Sequence, residues 1–155
     1  DYSTRAGKRL PPSFADLTAD LRALLSSPPA TGHTPRLFPW DFRPGNALIA
    51  DDAVTAVLDW EAPLAAPPAL SAAKAEYLVA DWYVDDPEPL RTVFREGYGS
   101  VRSLSAVAPA YRAAAIAASA VDSDGRVTNP RYPPVDREAA IAFHRDALQS
   151  VLATV

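Results

Sequence analysis

Asp41, Asn46 and Asp59 are the residues of this chain whose types and spacing could do chemistry. Asp41 and Asn46 lie five positions apart in Trp40-Asp41-Phe42-Arg43-Pro44-Gly45-Asn46, and Asp59 follows after 59 − 41 = 18 positions, in Val57-Leu58-Asp59-Trp60. A carboxylate on a rigid loop can orient a hydroxyl group and accept its proton. An amide oxygen and a second carboxylate can hold Mg²⁺, which takes one or two oxygens from a protein and leaves its other positions to phosphates and water. Together these are the parts of a phosphoryl transfer from a nucleoside triphosphate to a hydroxyl, a reaction that proteins catalyse by positioning groups and stabilising charge. Asp41 is the candidate base, Asn46 and Asp59 are the candidate metal ligands, and Arg43 is a candidate contact for the γ-phosphate.

The elements between these residues must bring them together. Pro44 fixes one backbone torsion of the loop, and Gly45 admits conformations closed to other residues, so Asp41 and Asn46 can converge. Ala47 to Ala50 reads as a strand, Asp51-Asp52-Ala53 as a turn, and Val54 to Leu58 as the returning strand that delivers Asp59 to the same place. Asp-x-x-Pro-Gly-Asn alone has the composition of an ordinary turn, and Leu-Asp-Trp alone says little. The combination at this spacing, with strand-forming residues between, is what points to a site.

The segment resembles the aminoglycoside phosphotransferase and choline kinase family, whose pattern reads His-Gly-Asp-x-x-Pro-Gly-Asn, a short apolar strand pair, then Ile-Asp-Trp or Ile-Asp-Phe. Asp41, Pro44, Gly45, Asn46, Leu58, Asp59 and Trp60 match it, and Glu61 is also common after that Trp. Pro39 and Trp40 stand where the family has its His and Gly, so the bracing of the loop must differ. The match is close from Leu37 to Glu61 and extends in layout from Ser13 to the C-terminus. The resemblance implies the C-terminal lobe of a protein-kinase-like fold, Mg²⁺, ATP as co-substrate and a small-molecule hydroxyl acceptor. It also implies an N-terminal nucleotide-clamping lobe, for which there is no room before Asp41. The chain opens at Asp1 without Met, and it reads as a fragment. Gly97-Tyr98-Gly99 lacks a third glycine and follows the candidate loop, so it is not read as a phosphate-covering loop.

The 155 residues are 48% hydrophobic, enough for a substantial core and one globular unit. A net charge of −4 and the absence of any long basic run argue against nucleic acid as a partner. Lysine occurs only at Lys8 and Lys74. Without cysteine there is neither a disulfide framework nor a thiolate zinc site. His33 and His144 stand far apart without metal-ligating company and are expected to be structural or exposed. Arg, Asp or Pro interrupts every apolar stretch before it reaches membrane-spanning length, and no signal-peptide layout opens the chain, which gives a cytoplasmic expectation.

Along the chain, residues up to Pro12 read as a frayed lead-in, and a first helix starts at Ser13 as N-cap, with Phe14, Leu17, Leu21, Leu24 and Leu25 on one face. Pro28, Pro29, Gly32 and Pro35 break it. Ala62 to Ala69 reads as Pro-rich and irregular, with Ala66-Pro67-Pro68 where the family usually has Asp-Pro. Helical patterns then run from Ser71 to Val84, from Pro87 through Tyr98, and from Pro109 through Val121. Asp122-Ser123-Asp124-Gly125 reads as a turn rather than half a calcium loop. Arg126 to Val135 is a Pro-rich loop, and a last helix runs from Asp136 as N-cap to about Ala153, burying Ala140, Ile141, Phe143, Leu148 and Leu152.

The expected fold is mainly α with a small β-hairpin: a catalytic loop and hairpin over residues 37–61, then a helical subdomain over 70–155. Glu61, Glu76, Asp81, Asp85 and Asp86 are solvated helix charges or, alternatively, an acidic wall for a cationic acceptor such as an aminoglycoside. The leading functional expectation is the catalytic lobe of a small-molecule kinase, inactive without its N-terminal lobe. The alternative is a pseudokinase-type binding or regulatory domain whose loop the Pro39-Trp40 change has rearranged.

Overall fold

The computed structural model describes residues 10–26, 34–104 and 106–155. The lead-in before Leu10, most of the Pro-rich break after Ser26, and His33 lie outside them. In chain order, a 3-10 turn (Pro12–Leu17) runs into α1 (Thr18–Ser26). There follow β1 (Arg36–Phe38), a second 3-10 turn (Pro44–Asn46), β2 (Ala47–Ala50), β3 (Ala53–Val57) and β4 (Leu64–Ala66). Then come α2 (Pro68–Glu76) with a π-helical continuation (Tyr77–Asp81), α3 (Glu88–Val101), α4 (Pro109–Ser119) and α5 (Arg137–Leu152). The chain is mainly helical with two small antiparallel strand pairs. It forms two compact units, one of Asp1–Ala30 with Val107–Val155 and the other of Thr31–Ala106. The helices beyond residue 70 are therefore shared between units: α2 and α3 belong with the strands, α4 and α5 with α1.

In the first unit, Phe14, Leu17, Leu21 and Leu25 are buried at helical spacing. The entry differs from expectation. Pro11 precedes the turn without a side-chain cap and Pro12 opens it, since proline's fixed torsion and missing N–H suit a first turn and make a serine cap unnecessary. Arg145 on α5 holds this turn, donating from Nη1 to the Ser13 carbonyl at 2.6 Å and gripping both oxygens of Asp16 at 2.6 and 2.7 Å. Helix α4 is nearly all buried through its alanines, whose small side chains let backbones approach. Asp136 caps α5 by accepting from the Ala139 N–H at 2.8 Å. The buried stripe of α5 is Ala140, His144, Leu148 and Val151, so Ile141, Phe143 and Leu152 sit half-buried beside it. His144 is 0% exposed, with Nε2 at 3.0 Å from the Thr128 carbonyl and 3.2 Å from its hydroxyl, and its role is structural. Asp122 accepts from the backbone N–H groups of Asp124 and Arg126 at 2.9 Å each, the arrangement of a turn.

In the second unit, β1 and β4 pair antiparallel, Arg36 opposite Ala66 and Phe38 opposite Leu64. This corrects the expectation of an irregular segment over 62–69. Strands of three residues carry no readable period, and the pairing is remote in sequence. The expected hairpin forms from β2 and β3, with Ala47 opposite Val57 and Ala50 opposite Ala53. Its tip is Asp51-Asp52, with φ of 51° and 58°, the left-handed pair that a two-residue type I′ turn needs. Helix α2 starts at Pro68, before the expected Ser71, because Pro serves as a first helical residue. No residue of α3 is buried. Ion pairs tie it down: Arg91 grips Asp81 at 2.6 and 3.0 Å, and Arg95 Nε lies 2.6 Å from Glu76 Oε1.

Candidate active site

The loop after β1 ends in the 3-10 turn, where the Asn46 N–H donates to the Arg43 carbonyl at 2.9 Å. From that turn the Asn46 side chain reaches back: Nδ2 donates to the Asp41 backbone carbonyl at 2.8 Å and lies 3.4 Å from Asp41 Oδ2. The same nitrogen lies 3.4 Å from Asp59 Oδ2. Asp59 arrives there because the Leu58 N–H donates to the Asn46 carbonyl at 2.8 Å, so the end of the hairpin is tied to the turn at its start. Asp59 itself has φ of 59°, a left-handed conformation that short polar side chains tolerate better than most. Beyond it, Trp60 Nε1 donates to the Val57 carbonyl at 2.9 Å and secures the reversal. The three residues singled out by spacing thus meet at one amide group.

The donor set suits a hard cation. An amide oxygen from Asn46 and a carboxylate from Asp59 would be two oxygen donors, within the one or two that Mg²⁺ draws from a protein. Among the described residues no group of three His, Cys, Asp or Glu could hold a metal, so a cation here would depend on ligands from phosphate and water as well. Asn46 now turns its NH₂ toward the carboxylates. Coordination through its carbonyl oxygen would require the amide to rotate by a half-turn.

Arg43 points at the candidate base. Its Nε lies 3.1 Å from Asp41 Oδ2, and both side chains are 38% exposed, so the pair is open to solvent and to exchange for another anion.

Trp40 and Lys74 are the residues that spacing does not reveal. The Lys74 ammonium on α2 stands 4.9 Å from the centroid of the Trp40 ring, and the Phe38 ring centroid lies 5.9 Å from the same ring. Lys74 is only 3% exposed. Burial pulls its pKa down to about 8, the negative charge of Asp41 pulls it partly back, and Arg43 pushes it lower. The sequence carried one signal for it, a lone lysine inside the small apolar run Ala72-Ala73-Lys74-Ala75.

The five acidic residues considered as a wall separate into two groups. Glu76 and Asp81 are engaged with Arg95 and Arg91, and hydrogen bonds from Arg91 to Asp81 push the guanidinium pKa further up. Glu61, Asp85 and Asp86 are exposed. Among the described residues no helix is long and apolar enough to cross a membrane. No protein-family model, no curated protein and no solved structure matches this chain.

Proposed function

We propose that this chain is the C-terminal catalytic lobe of an ATP-dependent small-molecule kinase of the aminoglycoside phosphotransferase type, acting with a nucleotide-clamping lobe supplied outside the described residues. The observation that carries the reading is the meeting of Asp41, Asn46 and Asp59 at the Asn46 amide. Asp41 orients the acceptor hydroxyl and takes its proton as the oxygen bonds to the γ-phosphorus and the bond to the bridging oxygen of ADP breaks. Asn46 and Asp59 would hold Mg²⁺, which neutralises charge on the phosphate oxygens when bound. Arg43 exchanges its contact with Asp41 for the γ-phosphate, which frees the base as the nucleotide arrives.

The test is release of ADP by the protein joined to its nucleotide-clamping lobe, with saturating Mg-ATP and a panel of hydroxyl acceptors. Asp41→Asn keeps size and hydrogen-bonding reach but removes the proton acceptor, so kcat should fall by about 10²- to 10⁴-fold with folding unchanged. Asp59→Ala should weaken Mg-ATP binding as well as the rate. Near-wild-type turnover by Asp41→Asn would place the base elsewhere. A folded wild type that phosphorylates nothing and binds no Mg-nucleotide would leave the pseudokinase reading in its place. Calorimetry on the 155-residue chain alone should give at most weak heat with Mg-ATP.

A further inference from the structure

We infer that Lys74 is a positioning residue for the Asp41 loop, acting through the ring of Trp40, an inference that rests on Asp41 being the base proposed above. Trp40 is bonded directly to Asp41, so whatever fixes the indole fixes the start of the loop. The indole meets groups from two different elements, the Phe38 ring at the end of β1 and the Lys74 ammonium on α2. Those elements are themselves joined, since β1 pairs with β4 and only Pro67 separates β4 from α2. The ring is thus held between parts of one connected frame.

An ammonium group in a dry site is penalised, as the lowered pKa of Lys74 records, and an unbranched apolar side chain would fill the space without that penalty. Over the Trp40 ring the charge obtains, among its interactions, a directional attraction to the face of an indole, one that is strongest where water is excluded. Asp41 and Arg43, both of the loop that is being held, lie within electrostatic reach of Lys74.

The experiment uses the full chain labelled with 5-fluorotryptophan, which gives fluorine signals for Trp40, Trp60 and Trp82, with the Trp40 signal assigned by Trp40→Phe. Lys74→Met should shift and broaden the Trp40 signal while leaving that of Trp60 in place. In the enzyme with its nucleotide-clamping lobe, Lys74→Met should lower kcat by roughly tenfold to a hundredfold with KM for Mg-ATP little changed, as expected when a reacting group is displaced by a fraction of an ångström. Lys74→Arg, which keeps a cation over the ring, should recover most of both readouts. An undisturbed Trp40 signal in Lys74→Met, or an undiminished kcat in that variant of an active enzyme, overturns the inference. Loss of melting temperature together with all three signals also overturns it, by making Lys74 merely structural. A wild type without turnover sinks the kinase reading instead, and the fluorine signals then decide alone whether Lys74 holds Trp40.

Discussion

The folded chain keeps Lys74 at a pKa of about 8, against an ordinary value of 10.5, and that difference makes stability depend on pH. Between those two values the unfolded chain binds more protons than the folded one, so stability should rise as pH increases through the window. Below about pH 8 the side chain is protonated in both states and the full penalty for burying its charge applies, on the order of 3 kcal/mol at most. Urea midpoints measured from about pH 8 to 10 should therefore climb in wild type relative to Lys74→Met, and a constant gap would show that the ammonium is not desolvated. Asp41, Asn46 and Asp59 were legible beforehand because their chemistry lies in their type and their convergence in their spacing. Lys74 was not, because burial belongs to the tertiary structure and a lysine on a helix is ordinarily solvated. The Pro39-Trp40 departure could be seen in the sequence, but the partner of Trp40 lies 34 residues away (74 − 40 = 34) on another element.

At the scale of elements, the hairpin tip places two aspartates in the left-handed region. Glycine meets no penalty there, and Asp52→Gly also removes one of two adjacent negative charges. It should raise stability by roughly 0.5–1 kcal/mol, read from the urea midpoint, since relief of the left-handed penalty exceeds the entropic cost of glycine. In the other unit, Arg145 holds the Asp16 carboxyl below its usual value of 3.8 through their hydrogen bonds. A carboxylate of lowered pKa stabilises the fold above its unfolded value, and the contribution fades as pH falls through the folded one. Asp16→Asn should thus be less stable than wild type near neutral pH, and the two should converge in acid, as thermal melts at several pH values would show. Helices with an apolar stripe were readable from their period, and so was the hairpin from its turn and flanking strands. The β1–β4 pair was hidden by its three-residue strands. Helix α3 showed its apolar spacing in Leu90, Val93, Phe94 and Tyr98, yet the fold anchors it through Arg91 and Arg95. Spacing cannot distinguish a helix held by apolar burial from one held by ion pairs.

For the whole molecule, composition established that the chain could bury a core, but the division into units depends on contacts remote in sequence. Residues 107–155 group with the first helix, and no local pattern announces that. His144 gives this unit a measurable keystone: fully buried, it holds Thr128, whose hydroxyl also donates to the Ser119 carbonyl. His144→Ala should cost about 2–4 kcal/mol in urea unfolding, from the cavity and from the groups left without their partner. In the other unit, the short β1–β4 ladder has a consequence in polymer terms. By pairing Phe38 with Leu64 it turns everything between them, the proposed base, both proposed ligands and the hairpin, into a closed ring. Ring closure is a fixed expense that grows only logarithmically with contour length, about 0.6 kcal/mol for each doubling. The exposed Asp51-Asp52 tip is accordingly the place on that ring where extra residues could be spliced in, so a reporter peptide could be carried there without shifting Asp41 or Asp59.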